Sequence, residues 1–149
     1  MANQDKRVHK DWGLKNMTDV TVAIITNDQD QMLIAKRKKG KVMAGCWEFP
    51  GGKIESGETP EESLMRELKE EMNITISVGE CITEITYDYE WGPVRLIAYQ
   101  ASVREGEIQL LDHDEIAWVY PVDMHRFGMT PADEPLIKDL AVWIKGRSK

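Results

Sequence analysis

Three glutamates, Glu67, Glu70 and Glu71, stand at i, i+3 and i+4 in the stretch GGKIESGETPEESLMRELKEEMNI, which runs from Gly51 to Ile74. On a helix turning roughly 100° per residue they fall within an arc of about 100°. Like charges at these spacings repel. Arg66 and Lys69 are expected to point elsewhere, so the counter-charge should come from outside the helix. Carboxylate oxygens suit a hard divalent cation, and magnesium is usually held by one or two carboxylates together with substrate phosphates. Taken alone, a stripe of three glutamates is more often a solvated acidic face. The glycine pair Gly51-Gly52 just before the helix reverses that reading here. Upstream, the run KRKKGK from Lys36 to Lys41 is a basic cluster between a strand and the acidic helix. It is either a solvated loop or, through the fork of the Arg37 guanidinium, a phosphate contact.

The elements that must position these groups carry their own signals. Thr59, Pro60 and Glu62 read as N-cap, first-turn proline and capping-box glutamate, so a helix starts at residue 60. Asn73 tolerates the left-handed conformation that ends a helix after Met72. Residues 19–26, DVTVAIIT, are β-branched and almost continuously apolar, as in a strand buried on both faces. Residues 27–30 form a turn, and 31–37 return as a second strand, which predicts a hairpin. Trp47 and Phe49 alternate about Glu48 in a short strand. Residues 74–78 predict a half-buried strand ended by Gly79, and 81–90 and 94–103 predict a second hairpin around Trp91-Gly92-Pro93. An edge segment at 108–111, a strand through Ile116, Trp118 and Tyr120, a short helix at 122–127 and a final amphipathic helix beginning at Asp133 complete the chain. The pattern is α/β.

Gly52, Glu58 and the run Arg66-Glu67-Leu68-x-Glu70-Glu71-x-Asn73-Ile74 resemble the Nudix box, with Asn73 where that pattern has glycine. Asparagine reaches the same backbone conformation, so the departure touches the helix end and not the chemistry. The segments from Trp47 to Glu55 and from Pro131 to Pro135 also look like parts of MutT-type nucleoside triphosphate pyrophosphohydrolases. The resemblance therefore covers most of the chain from residue 18 onward. It implies the Nudix fold, a mixed β-sheet sandwiched between helices with the box as a loop-helix-loop. It also implies hydrolysis of a nucleoside diphosphate derivative by water, with Mg2+, or Mn2+ in its place. Glu67, Glu70 and Glu71 are then metal ligands, with Glu67 also orienting or deprotonating the water. The Gly51 carbonyl is a further ligand, since glycine allows close backbone approach. Glu58 helps hold the catalytic segment, Arg66 pairs with a box glutamate and orients it, and Lys53 meets phosphates or leaving group. Phe49 is either a core ring or a wall for the base. Counting back from Trp118 gives Asp112 as an additional acidic ligand, with Asp114 and Glu115 as alternatives. His113 is expected to make a loop hydrogen bond, and neither His9 nor His125 is expected to bind metal.

Where the MutT pattern reads Pro-Ala-Asn-Glu-Pro, this chain has Asp133. An ionised carboxylate only accepts, so Asp133 should select cytosine or an oxidised guanine, which present donors. As an alternative it is simply the N-cap of the last helix. The implied reaction releases a monophosphate and pyrophosphate. Hydrolysis of ADP-ribose, a dinucleotide or a capped RNA end, and a non-catalytic nucleotide-sensing domain, are the alternatives.

At 149 residues the chain is one domain's worth, read as an arm at 1–17 and a catalytic domain at 18–149. A formal charge of −7 excludes a long nucleic acid as the main partner. The charged N-terminal sequence is neither a signal peptide nor a membrane span. Cys46 and Cys81 form no disulfide framework, consistent with reduced thiols in the cytoplasm. The expected partner is a small nucleotide, and the protein itself a monomer or homodimer.

Overall fold

The computed structural model of the chain describes residues 17–147, so the N-terminal arm through residue 16, with His9, lies outside the described residues. Eight-residue β1 (Thr18–Ile25) and β2 (Met32–Arg37) are followed by two short strands, β3 (Trp47–Glu48) and β4 (Gly51–Lys53). Helix α1 (Pro60–Met72) leads into a long pair, β5 (Thr75–Tyr89) and β6 (Gly92–Glu105). Strand β7 (His113–Val119), a 3-10 turn (Pro121–Arg126) and helix α2 (Glu134–Arg147) end the described chain.

The strands form two sheets, one in the order β4-β1-β6-β5 and one in the order β3-β2-β7. β1 lies parallel to β6, from Thr18 opposite Val94 to Ile25 opposite Ala101. All other strand pairs are antiparallel. The expected hairpin of β1 and β2 is therefore corrected: only an isolated bridge joins Thr26 to Met32, and the two strands pass into different sheets. The near-continuous apolar runs explain this. Val22 and Ile24 of β1 enter one core with Leu136, Leu140 and Ile144 of α2. Ala23 and Ile25 enter the other, with Leu64, Leu68 and Met72 of α1. Met32 and Ile34 against Leu33 and Ala35 divide β2 in the same way. A helix covers each face, and the strands between have no solvent side.

Helix α1 begins as its sequence predicts. Thr59 Oγ1 accepts from the Glu62 N–H at 3.1 Å, and Glu62 Oε1 accepts from the Thr59 N–H at 3.0 Å. It ends on Asn73, in the left-handed region at φ 56° and ψ 39°. Segment 108–111 is not a strand. The Gln109 N–H donates to the Met72 carbonyl and the Leu111 N–H to that of Glu71, so the segment satisfies carbonyls that the helix end leaves open. Gly79 does not stop a strand either: β5 runs through it, with register shifts between Val78 and Thr83. At the hairpin, Tyr89 pairs with Gly92, so Glu90-Trp91 is the turn and Pro93 already belongs to β6.

Candidate active site

The box glutamates are organised by Arg66, and the expectation that it points away from them is corrected. Its Nε donates to Glu58 Oε2 at 2.5 Å and its Nη2 to Glu58 Oε1 at 3.0 Å. Nη1 reaches Glu67 Oε2 at 3.1 Å and Glu70 Oε1 at 3.3 Å, while Nη2 also donates to the Lys53 carbonyl at 3.2 Å. The guanidinium, helped by the Glu55 N–H, holds the Glu58 carboxyl down at about 2. Arg66 thus ties the loop after β4 to the first three turns of α1. Glu70 stays on the solvent side, its side chain 61% exposed.

The two glycines make room for this. A Cβ on Gly52 would stand 2.4 Å from the Glu67 carboxylate, so the side chain lies directly against bare backbone. A Cβ on Gly51, where φ is 151°, would meet the Thr21 carbonyl oxygen at 2.0 Å. β4 can therefore pair closely with β1 and bring Glu67 over the edge of the sheet.

Beyond Arg66 lies a cleft of about 300 Å³ with two unlike halves. Glu67, Glu71, Glu48, Asp112 and His113 line one, with Arg37, Lys41 and Lys53 at its border. Burial, then the charges of Glu67, Glu48 and Asp112, pushes the Glu71 carboxyl up to about 9. Its buried Oε1 has no hydrogen-bond partner. Burial also raises Glu67, against the opposing pull of Arg66. Among the described residues no three acidic, cysteine or histidine side chains already converge as a metal cage. Yet the donor chemistry fits a hard cation: several partly buried carboxylates share one cleft, one oxygen is orphaned, and their mutual repulsion is what a divalent ion relieves.

The other acidic candidates separate by position. Asp112 lines the cleft and takes Lys41 Nζ on both oxygens, at 2.6 and 2.7 Å. Asp114 instead accepts from the Lys39 N–H at 3.2 Å, and Glu115 pairs with Lys36 at 3.5 Å. Arg37 donates from Nη1 to Glu48 Oε1 at 2.9 Å and from Nε to the Val42 carbonyl at 2.7 Å. Sequence reasoning passed over Glu48. Its signal was the alternation itself, since the residue between Trp47 and Phe49 must face away from both. His113 is corrected from a loop residue to the buried first residue of β7, with Nε2 3.0 Å from Glu48 Oε2.

The second half is apolar, formed by Val20, Val22, Val94 and Leu96 with Tyr89, Trp91 and Asp133. Trp47 clasps the loop before α2, its N–H donating to the Gly128 carbonyl and its carbonyl accepting from the Thr130 N–H. That clasp brings Asp133 to Phe49, whose N–H donates to Asp133 Oδ2 at 3.0 Å. From the position just before α2, the Asp133 carboxylate thus bridges to the residue that follows β3, distant in sequence. Burial, opposed by that hydrogen bond, pushes its carboxyl up to about 7. It can therefore carry a proton near neutrality and donate as well as accept, which the purely ionised reading left out. Phe49 itself is a core ring, 2% exposed. Tyr89 accepts the Ala132 N–H on its hydroxyl at 3.1 Å. His125 Nδ1 lies 3.0 Å from the Val122 carbonyl oxygen, on its own short turn.

A family profile described as the NUDIX domain matches residues 16–140. A CTP pyrophosphohydrolase of Escherichia coli K12 is 34% identical over 122 residues, covering 82% of this chain and 90% of the relative. An 8-oxo-dGTP diphosphatase of the same organism is 34% identical over 121 residues, covering 81% and 94%. Among solved structures, the E. coli ORF135 protein superposes with a TM-score of 0.76 at 32% identity, over 88% of this chain and 93% of that one. A MutT protein from Methanosarcina mazei Go1 gives 0.76 at 21% identity over 89% and 96%, a likeness of fold. No helix among the described residues is long and apolar enough to cross a membrane.

Proposed function

The chain belongs to the NUDIX domain family and is a hydrolase of phosphoric anhydride bonds; from that premise we propose that it cleaves cytosine or oxidised guanine nucleoside triphosphates to the monophosphate and pyrophosphate. The observation that carries this reading is the pairing, in one cleft, of a partly buried carboxylate cluster with an apolar recess holding Asp133. The E. coli relatives named for CTP and for 8-oxo-dGTP support the same two bases.

A bound divalent cation, Mg2+ by preference and Mn2+ in its place, supplies neutralisation of the polyphosphate and a lowered pKa for the attacking water. Glu67, Glu70 and Glu71, with Asp112 and the Gly51 carbonyl, would hold it. To do so, Glu70 and Asp112 would exchange their ion pairs with Arg66 and Lys41 for the cation. Glu67, fixed between Arg66 and the bare backbone of Gly52, orients the water or takes its proton. Arg66 and Glu58 keep that geometry, while Arg37 and Lys53 face the phosphates. Asp133 reads the base edge, donating or accepting according to its protonation. We assign these roles to one catalytic domain over 18–149 that acts in the cytoplasm as a monomer or homodimer.

The test is to measure pyrophosphate and phosphate released from CTP, dCTP, 8-oxo-dGTP, UTP, dTTP and ADP-ribose with and without Mg2+. Metal-dependent pyrophosphate release favouring the cytosine or oxidised guanine nucleotides is the expected result. Turnover of ADP-ribose alone moves the protein to another diphosphate, and binding without turnover makes it a sensor.

A further inference from the structure

The recess that should receive the base is lined by a strongly exposed aromatic ring, and this is not the ring that the sequence singled out. Phe49 is 2% exposed and its ring is spent on the core beneath the cleft. Trp91 is 62% exposed although it lines the same cleft as Asp133. An indole held in water at a hairpin tip gains nothing from burial, and a bare turn has no need of one.

The ring is nonetheless held. It stacks on Tyr89 with centroids 5.1 Å apart and planes within 7°. Tyr89 in turn meets Tyr87 edge-on at 4.8 Å, and its hydroxyl accepts the Ala132 N–H at 3.1 Å, one residue before Asp133. A continuous set of contacts therefore runs from the exposed indole to the backbone of the residue before Asp133. Rigid aromatic surface presented this way costs little to order on binding.

We propose that Trp91 is a specificity-determining residue, the platform on which the planar heteroaromatic base of the substrate stacks while its edge meets Asp133. The inference rests on the nucleotide reading above. Stacking on an aromatic side chain is tolerant of base identity, so Trp91 selects a nucleoside over a bare polyphosphate, and the choice among bases is left to Asp133. A residue that merely stiffened the hairpin would affect all ligands alike.

The experiment compares Trp91→Ala, Trp91→Phe and wild type by steady-state kinetics with CTP and 8-oxo-dGTP and by inhibition with inorganic tripolyphosphate. In parallel, tryptophan fluorescence is titrated with CMP and 8-oxo-dGMP in the absence of metal. The alanine variant should raise KM about tenfold with kcat within about twofold. Phenylalanine should recover most of the loss, and tripolyphosphate should inhibit all three proteins equally. Wild-type fluorescence should be quenched by a monophosphate and that quenching lost in Trp91→Phe. An unchanged KM together with unchanged quenching overturns the proposal, as does a parallel loss of tripolyphosphate inhibition. Because the fluorescence arm needs no turnover, a protein that hydrolyses none of the triphosphates would sink the proposed function while the platform could still be read.

Discussion

Glu71 and Asp133 are both buried acids whose carboxyls rise, yet they ask different things of their surroundings. Around Glu71 the neighbours are other carboxylates, so the missing partner is a cation. Glu71→Gln should lower turnover by orders of magnitude at saturating Mg2+ with the melting temperature of the metal-free protein preserved or raised, because it removes a charge that its neighbours disfavour and no apolar area. Glu70→Gln should do the same, and near-normal turnover in both would remove the helix from the metal site. Around Asp133 the partners are the Phe49 N–H and the Thr130 side chain, and the folded protein binds the acid's proton more tightly than the unfolded chain does. Its contribution therefore weakens folding as pH rises from its ordinary 3.8 towards about 7 and levels off above that. Linkage puts the whole swing on the order of 4 kcal/mol. Asp133→Asn should accordingly gain melting temperature relative to wild type between pH 4.5 and pH 7.5, and parallel thermal profiles would contradict it. At this scale the sequence displayed Glu67, Glu70 and Glu71 through their spacing together with the glycine pair before the helix. It could not display the meeting of Glu48 with His113, because that depends on which strands lie side by side.

Helix α1 and the strand before it show how local signals and tertiary fit divide the work. The capping box and the left-handed Asn73 were legible because each uses only residues within one turn of the helix end. Thr59→Ala should cost about 1 kcal/mol, measured by denaturant unfolding, with activity retained in the folded fraction. The two glycines are more informative together. Gly51→Ala would drive its Cβ into the backbone of Thr21, whereas Gly52→Ala meets only the movable end of Glu67. The first should lose stability strongly. The second should stay folded and lose turnover, a contrast that a melting curve and a rate assay separate. The continuous β5 was less legible, since Gly79 resembles a terminator and its bulge is forced by pairing with β6.

The whole molecule carries a net charge of −7, which predicts no tight, salt-sensitive binding to duplex DNA at physiological ionic strength in a mobility-shift titration. The α/β class followed from element order, but the partner of β1 did not, because the nearest strand in sequence looks like a hairpin mate and the real mate is β6. The long-range contact of Asp133 with Phe49 also bears on how the protein is made. These residues are 84 positions apart, and a ribosome releases the chain from its N-terminus. Helix α1, with its own start and stop, can leave the exit tunnel well before β6 and β7 exist to sheathe it. The recess and the acidic cluster come together only once residue 133 has emerged. Stalled nascent chains of increasing length should thus gain nucleotide binding in one late step, and until then two apolar helix and strand faces are available to chaperones.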